Sequence, residues 1–184
     1  MLKHLLLRMR TFLFHPITFF RYKQFKGTII YGRVILEKAS NMKITNTIIS
    51  KNCSFKAYPT KKTKKNILID IDNACFSERA YVSSNGNLFI RNSSFAPNVF
   101  IGTCKHSLYP NKPDQNYKIR IENTRFVGQN VSIFGDVTIS NNCVIGACSV
   151  VTKDIPANTM VVGNPARPIK YYDKSKNEWV PYKK

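Results

Sequence analysis

Histidine side chains are the clearest candidates for acid–base chemistry in this chain of 184 residues. An imidazole titrates at about pH 6.5, so it can take a proton from a substrate hydroxyl close to neutral pH. His4 and His15 lie in an N-terminal segment with a helical pattern, whereas His106 lies just before a stretch rich in Pro, Asn and Asp. A single histidine in such a stretch is by default an ordinary loop residue, so the surrounding sequence has to decide its role.

Cysteine nucleophiles and metal sites are alternative kinds of chemistry, and the sequence favours neither. Five cysteines, an odd number without a CxxC pair, are present: Cys53, Cys75, Cys104, Cys143 and Cys148. We interpret them as reduced thiols of a cytoplasmic protein, not as a disulfide framework or zinc ligands. Cys104 is near enough to His106 to be tested as a nucleophile. The sequence contains no P-loop, no GxSxG turn and no cluster of metal ligands, so no metal is predicted.

An apolar residue recurs every six positions over residues 121–156. The first position of six successive units is Ile or Val: Ile121, Val127, Ile133, Ile139, Ile145 and Val151. Neither a helix nor a simple alternating strand has this period. A six-residue unit fits one flat side of a solenoid coil, in which a short strand precedes a polar turn and the repeated residue points inward. The repeat therefore predicts an all-β solenoid whose coils stack on one another.

The rest of the chain is organised around this repeat. Residues 27–92 contain short β-type runs separated by Gly and Asn turns, which we interpret as irregular early coils. Phe95 and Ile101 are again six residues apart, but the distance from Ile101 to Ile121 is not a multiple of six. We therefore predict an extruded loop near residues 104–118, and loops of this kind often carry function.

The stretch VIGACSVVTKDIPANTMVVGNPARPIK, residues 144–170, resembles the closing coils of the hexapeptide-repeat acyltransferases. The resemblance is dense over residues 95–170 and is greatest to the sugar O-acetyltransferases, including galactoside, maltose, capsule and O-antigen enzymes. It implies a left-handed parallel β-helix with three six-residue sides per turn. It also implies a homotrimer with sites at the subunit interfaces, and acetyl-CoA as co-substrate.

The same resemblance gives His106 a catalytic role. The stretch APNVFIGTCKHSLYP, residues 96–110, is similar to the family's catalytic segment, in which an APNV-type turn precedes the essential histidine. His106 is at the matching position and is predicted to be the general base that deprotonates an acceptor hydroxyl. The tetrahedral oxyanion also needs a hydrogen-bond donor. Asn85 and Ser83 are candidates for that donor by their position.

The resemblance implies eight positions that bind acetyl-CoA: Phe126, Gly128, Gly146, Ala147, Thr152, Lys153, Arg167 and Lys170. The small residues would let the pantetheine arm approach the backbone closely, although glycines also serve as tight coil corners. The VTKD segment and the basic residues after the GNPA turn would contact the nucleotide and its phosphates. Phe126 stands where the family commonly has Trp, which keeps an apolar wall but removes the indole hydrogen bond.

Both ends of the chain are predicted to flank the solenoid. Residues 1–26 begin with an amphipathic helical pattern that is too short and too charged to span a bilayer. We interpret this segment as an N-terminal helical cap on the first coil, with contact to an anionic membrane as an open alternative. The predicted units are the cap over 1–26, a left-handed β-helix acyltransferase domain over 27–170 and a C-terminal tail over 171–184.

The formal net charge of +19 suggests a polyanionic partner or simply a lysine-rich surface. The implied activity is O-acetylation of a saccharide in polysaccharide biosynthesis (a capsule, an O-antigen or an exopolysaccharide), and an acidic or lipid-linked acceptor stays open. N-acetylation of an amino sugar or aminated antibiotic, and a non-catalytic basic scaffold, are the alternatives. No nucleic-acid-binding module is recognisable. We expect a cytoplasmic protein, with association at the inner membrane leaflet left open.

Overall fold

The computed structural model of the protein describes residues 23–61, 63–105 and 115–182, with only the backbone of residues 104–105 and 115–116. The predicted cap over residues 1–26 therefore lies almost wholly outside the described residues, and its last four residues form turns and a bend. Within the described ranges the helical structure is one 3₁₀ turn, Ala39–Asn41, and no helix there is long and apolar enough to cross a bilayer.

Nearly all regular structure in the described part of the chain is β-strand. In chain order the strands are β1 (Ile29–Ile30), β2 (Ile35–Glu37), β3 (Met42–Thr45), β4 (Ile48–Ile49), β5 (Ser54–Ala57), β6 (Ile69–Phe76), β7 (Tyr81–Ser84), β8 (Asn87–Phe95), β9 (Phe100–Gly102), β10 (Cys104–Lys105), β11 (Gln115–Asn116), β12 (Lys118–Glu122), β13 (Phe126–Val127), β14 (Ser132–Phe134), β15 (Val137–Ile139), β16 (Val144–Ile145), β17 (Val150–Val151), β18 (Thr159–Val162), β19 (Arg167–Asp173) and β20 (Glu178–Pro181). Most are short, as expected for coils with six-residue sides.

The strands stack into three parallel ladders, so each coil has three sides. The first face contains β3, β12, β15 and the first halves of β6 and β8. The second face contains β1, β4, β13, β16, β18 and the second halves of β6 and β8. The third face contains β2, β5, β7, β9, β14 and β17. This arrangement confirms the predicted solenoid and makes it a parallel β-helix.

The six-residue repeat sets the register between successive coils. Its positions pair as predicted, 18 residues apart on the three faces in turn: Ile121 with Ile139, Val127 with Ile145, and Ile133 with Val151. All six side chains are buried. Phe95 and Ile101 extend two of these ladders by one coil, because they pair with Val127 and Ile133. One coil is therefore three hexapeptides, and the repeated apolar position lines the interior.

Aromatic residues fill the interior of the earlier coils. The rings of Phe76 and Phe95 stack with centroids 4.6 Å apart, and Phe55 meets Phe76 edge-on at 5.2 Å. All three are almost completely buried. Each coil buries its apolar side chains only against its neighbours, so such stacks of equivalent residues hold the array together.

Asparagines form the corner between the first and second faces, which we call the asparagine edge (Asn46, Asn73, Asn92, Asn123 and Asn142). All five have φ between 47° and 59°, a left-handed conformation that Asn tolerates better than most residues. Their side chains also bond from coil to coil: Asn92 Nδ2 donates to Asn123 Oδ1 at 2.5 Å. The corner is thus fixed by backbone preference and by hydrogen bonds along the solenoid axis.

Insertions occur at the corner between the third face and the next first face, which we call the loop edge (residues 58–68, 85–86, 103–117, 135–136 and 152–154). There β10 and β11 pair antiparallel in a small sheet separate from the three faces. The two ends of the predicted extruded loop therefore do leave the solenoid, and residues 106–114 lie outside the described residues. The stack is undisturbed, since Ile90 and Ile121 still pair although they are 31 residues apart.

A β-hairpin closes the C-terminal end of the solenoid. Strand β19 pairs antiparallel with β18, and β20 pairs antiparallel with β19. Tyr172 packs edge-on against Trp179, and the Arg125 guanidinium lies 5.6 Å from the Tyr172 ring centroid. Strand β19 continues past residue 170, which the sequence predicted to be the boundary between the domain and the tail. The hairpin covers the last coil and supplies the seal that a solenoid end needs.

The outer surfaces of the three faces differ in polarity. The first face carries ion pairs, with Arg91 Nη2 2.9 Å from Asp70 Oδ1 and Arg120 paired with Glu122. The other two faces expose large apolar side chains, namely Ile48 and Phe126 on the second face and Ile35, Phe100 and Phe134 on the third. Two faces therefore expose large apolar side chains, whereas ion pairs lie on the first face and, between Glu37 and Lys56, on the third.

Replacing Asn123 tests the asparagine edge. Asn123→Ala removes hydrogen bonds to Asn92 and Asn141. It also places at φ 47° a residue that tolerates the left-handed conformation less well than Asn does. We expect the free energy of unfolding to fall by about 2 kcal/mol in urea titrations at fixed protein concentration. Asn123→Gly loses the same hydrogen bonds but tolerates the backbone, so it should cost about 1 kcal/mol less than Ala. Equal losses for the two variants would contradict this account.

Candidate active site

Thr103 anchors the start of the long excursion at the loop edge. Its side chain is fully buried, and its hydroxyl oxygen accepts hydrogen bonds from the backbone N–H groups of Asn85 and Gly86, both at 3.1 Å. The hydroxyl also lies 3.0 Å from Ser84 Oγ, which itself donates to the Gly86 carbonyl. One threonine therefore fixes the three-residue turn of the preceding coil beside the point where the excursion leaves.

Gly86 fixes the other end of the excursion. A Cβ at this position would lie 2.1 Å from the Tyr117 carbonyl oxygen, so only glycine fits beneath the returning chain. The Tyr117 N–H donates to the Thr103 carbonyl at 3.3 Å. The two ends of the excursion are thus held side by side on the turn formed by residues 84–86.

Asn85, the predicted oxyanion donor, is partly exposed on this turn. Its Oδ1 lies 3.2 Å from Thr103 Oγ1, which orients the amide oxygen toward the solenoid. The Nδ2 group has no hydrogen-bond partner among the described residues, so it can donate to a ligand. Ser83, the other candidate, is 6% exposed, which leaves its hydroxyl poorly placed for that purpose.

His106 follows Lys105 in the chain and lies outside the described residues, so its role stays a prediction. The segment before it is described. The APNV turn, residues 96–99, forms the corner between the second and third faces, and β9 then crosses the third face to Thr103. The spacing between the APNV turn and the histidine therefore corresponds to one side of a coil plus the first residues of the excursion.

Small residues line what we call the glycine edge, the corner between the second and third faces at residues 128–131 and 146–149. A Cβ on Gly128 would lie 2.6 Å from Ala147 N, and one on Gly146 would lie 2.5 Å from a methyl of Val162. Coil packing alone therefore requires both glycines. Their N–H groups donate to Ile145 and Val161, whereas no described residue donates to their carbonyl oxygens. Those two carbonyls are the backbone groups that could pair with a ligand amide.

The predicted nucleotide-contacting residues are exposed. Thr152 and Lys153 lie on the loop edge, and Arg167 and Lys170 lie on β19. None of the three cations forms an ion pair with a carboxylate within the described ranges. Phe126 is 48% exposed on the second face, and its role in binding acetyl-CoA stays a prediction. These groups suit a ligand that combines phosphates with an apolar or amide-bearing arm.

The structure divides the predicted residues between two edges of the solenoid. Asn85 and Lys153 lie on the loop edge, as do the ends of the excursion, whereas Gly128 and Ala147 lie on the glycine edge. The third face separates these edges within one chain. A ligand that touched both sets would therefore have to cross that face or lie between two copies of the chain.

Cysteine chemistry receives no support from the described thiols. Burial raises the pKa of Cys53 and of Cys143, and their sulfurs donate to the carbonyls of Ser77 at 3.1 Å and Pro156 at 3.2 Å. A thiol with a raised pKa is a poor nucleophile at neutral pH. No group of three or more His, Cys, Asp or Glu side chains in the described part of the chain is arranged to hold a metal.

Known proteins resemble this chain in sequence and in fold, although no family model matches it. It is 41% identical to galactoside O-acetyltransferase from Escherichia coli over 83 residues, which cover 43% of this chain and 41% of that protein. The solved structure of a maltose O-acetyltransferase from Clostridium difficile is 25% identical, with a TM-score of 0.53 over 83% of this chain and 73% of that one. In sequence and in fold the chain resembles the sugar O-acetyltransferases of the hexapeptide-repeat acyltransferase family.

A further likeness concerns the fold alone. The N-acyltransferase AntD from Bacillus cereus, solved with dTDP and 3-hydroxybutyryl-CoA, has a TM-score of 0.67 at 15% identity, over 89% of this chain and 92% of that one. The sequence matches are shorter, because the chain spans about half the length, or less, of the first curated relatives it matches.

Thr103 and Gly86 were not predicted from the sequence. Both lie next to predicted residues, but neither residue type indicates a role by itself. The usable signal was the spacing of the repeat, which ends on the third face just before Thr103. These two residues hold the two ends of the excursion, and the predicted catalytic His106 follows Thr103 by three residues.

Replacing Thr103 with valine tests this anchor. Thr103→Val keeps the shape but leaves two backbone N–H groups without their acceptor, so we expect a loss of about 2 kcal/mol in unfolding free energy. The matched control is Thr124→Val, because the Thr124 hydroxyl is buried and has no hydrogen-bond partner among the described residues. That variant should be as stable as the wild type or more stable. Equal losses in chemical denaturation would show that the Thr103 bonds contribute nothing specific.

Proposed function

We propose that this protein transfers an acetyl group from acetyl-CoA to a hydroxyl of a saccharide, with His106 as the general base. The observation that carries the proposal is that both ends of the excursion are held at the loop edge, on the turn that contains Asn85. The family's catalytic segment, residues 96–110, runs along β9 to Thr103 and enters this excursion beside Asn85. His106 follows Thr103 by three residues, and the Thr103 hydroxyl is hydrogen-bonded to Asn85, whose Nδ2 has no partner among the described residues. A base and an amide donor are the pair of groups that acyl transfer needs.

The residues divide the chemical work as follows. Acetyl-CoA, when bound, supplies an activated acetyl thioester. His106 takes the proton from the acceptor hydroxyl as its oxygen attacks the acetyl carbonyl carbon. Asn85 Nδ2 donates to the carbonyl oxygen that becomes negatively charged. The C–S bond of the thioester then breaks, and the proton held by His106 passes to the departing CoA sulfur, which leaves as the thiol. Because no cysteine stands at an expected nucleophile position and burial raises the pKa of Cys53, Cys75 and Cys143, we infer direct transfer within a ternary complex instead of an acyl-enzyme.

Binding of acetyl-CoA is assigned to both edges and to β19. The carbonyl oxygens of Gly128 and Gly146 can accept hydrogen bonds from the amides of the pantetheine arm. Lys153, Arg167 and Lys170 are exposed cations and suit the phosphates. Phe126 forms an apolar wall, and Thr152 and Ala147 border the same surfaces.

We infer that three copies assemble as a ring of left-handed solenoids, with the sites between neighbours. Exposed apolar side chains on a soluble surface commonly mark contacts between proteins. Here they occupy two different faces, represented by Phe126 and Phe100, while the first face carries ion pairs. Contacts between unlike patches close into rings, whereas like patches give two-fold dimers. A neighbouring copy would also bring its glycine edge toward the loop edge.

Acetylation of an amine is the nearest rival. The B. cereus enzyme is named an N-acyltransferase, but that likeness concerns the fold, while the galactoside and maltose relatives are named O-acetyltransferases. The same base and oxyanion donor would serve either acceptor. We therefore keep O-acetylation as the proposal and include an amino sugar among the acceptors to be tested. A cytoplasmic location and peripheral membrane contact belong to the same proposal.

Thiol release from acetyl-CoA tests the reaction and the base together. The wild-type protein is incubated with acidic saccharides, neutral saccharides and an amino sugar, and His106→Ala is compared with it. We expect acceptor-dependent release that falls by at least about 100-fold in His106→Ala, because general bases contribute that much or more. Acetyl-CoA affinity should stay within about twofold.

Two variants control this experiment. His15→Ala removes an imidazole elsewhere in the chain and should leave the rate unchanged, and Cys104→Ser should do the same if no acyl-enzyme forms. Acetyl-CoA binding without turnover on any acceptor would favour the scaffold alternative. An absence of acetyl-CoA binding would overturn the assignment of the co-substrate, and faster release with the amino sugar would move the activity to N-acetylation.

A further inference from the structure

A basic depression lies at the loop edge, on the side of the candidate active site that faces the N-terminal coils. Its volume is about 470 Å³, which is within the usual range for small-molecule sites. Lys38, Lys61 and Lys64 line it, together with Tyr58 and the carboxylate of Glu37. We call this depression the lysine pocket.

The charge of the lysine pocket is strongly unbalanced. Glu37 lies 3.6 Å from Lys56, so its carboxylate already has a cation beside it. Within the described ranges, none of the three pocket lysines lies within ion-pair distance of any carboxylate. Three lysines that lack a carboxylate partner among the described residues line one depression, and their charge favours an anionic ligand there.

The loop that carries two of these lysines is held in a defined shape. Asn41, only 2% exposed, donates its amide hydrogens to the carbonyls of Lys64 at 2.9 Å and Asn66 at 2.8 Å. Thr60 and Thr63 exchange hydrogen bonds between each hydroxyl and the other's backbone N–H. The pocket wall is therefore preorganised, and a ligand would not need to order it.

Lys38 has a backbone conformation that its residue type does not favour. Its φ of 59° and ψ of 47° are left-handed, where most other non-glycine positions in this protein are asparagines. Lysine adopts this conformation less readily than Asn or Gly does. A strained residue that persists is a reason to look for a function, and here the side chain is one of the three pocket cations.

We propose that the lysine pocket binds an anionic group, a carboxylate or a phosphate, on the acceptor saccharide. The pocket and the candidate active site share one edge. The Tyr58 N–H donates to the Ser84 carbonyl at 2.7 Å, and Ser84 contacts Thr103 in the next coil. Two coil steps separate Tyr58 from Thr103, or about 10 Å along the solenoid. A short acidic glycan held in the pocket can extend along the edge toward Asn85.

This inference rests on the proposed acetyl transfer for the identity of the ligand, but its test does not need turnover. Binding of tetragalacturonate, UDP-galactose and neutral maltotetraose to the full chain is measured by calorimetry at low salt, without acetyl-CoA. The first two probes present a carboxylate and a phosphate, so they distinguish the two sources of negative charge. The wild-type protein should bind at least one of them more tightly than maltotetraose.

A triple variant and a matched control locate the binding. Lys38→Asn, Lys61→Gln and Lys64→Gln together remove the pocket cations and should weaken anion binding by about tenfold or more. Lys26→Gln, Lys174→Gln and Lys176→Gln remove the same charge from exposed positions elsewhere and should change it by less than twofold. The single variant Lys38→Asn should weaken binding while its melting temperature stays equal or rises, because Asn suits the left-handed backbone.

Each outcome bears on one claim. Equal losses in the pocket and control variants would overturn the pocket, as would maltotetraose binding as tight as the anions, or no anion binding by the wild type. Anion binding that needs the pocket lysines, in a protein without acetyl transfer to any acceptor, would overturn the proposed function and leave the pocket standing. Acetyl transfer to an acidic acceptor with the same KM in wild type and pocket variant would overturn the pocket and leave the proposed function standing.

Discussion

The stacking of each coil on the next is the constraint on which the rest of the structure depends. A coil of three short strands cannot bury its apolar side chains by itself, so equivalent residues must lie over one another. The ladder from Ile90 through Ile121 to Ile139 shows this directly. Once that alignment is fixed, the residues of the faces have little freedom to vary. Insertions and residues that could do chemistry therefore occur mainly at the corners.

The loop edge shows how this constraint permits function. Insertions of quite different lengths occur there, yet the coils on either side keep their register, because each insertion begins and ends at the same corner. Thr103 and Gly86 hold the two ends of the longer excursion, and Asn41 fixes the shape of the shorter one. Buried polar bonds at the corner thus replace the hydrophobic stacking that fixes the faces.

The sequence predicted the parts of the fold that repeat. The spacing of Ile121, Val127 and Ile133 predicted the length of each side and the buried positions, and the break after Ile101 predicted the extruded loop. The number of sides per coil came from the family resemblance. The early coils were not predicted in detail, since Ile44, Ile71 and Ile90 follow one another at 27 and 19 residues instead of a fixed period. Unequal loop-edge insertions hide a repeat that the strands themselves preserve.

The candidate site was predictable only where a family motif marks it. The resemblance singled out His106 and the glycine edge, but it could not show that the predicted residues divide between two edges of one chain. Nor could it reveal Thr103, Lys38 or Asn41, whose importance comes from burial, backbone angle and hydrogen bonds. These properties depend on neighbours that are distant in sequence, so spacing carries no trace of them.

The central claim is that the active site combines the loop edge of one copy with the glycine edge of another. Co-expression of two inactive variants tests it most directly: His106→Ala alters the excursion, and Ala147→Trp blocks the glycine edge at an exposed position. If sites form between copies, mixed rings contain some sites with both edges intact, and acetyl transfer should return to about a quarter of the wild-type rate. If each site lies within one chain, every site carries one of the two changes, and mixed assemblies that stay inactive would contradict the account.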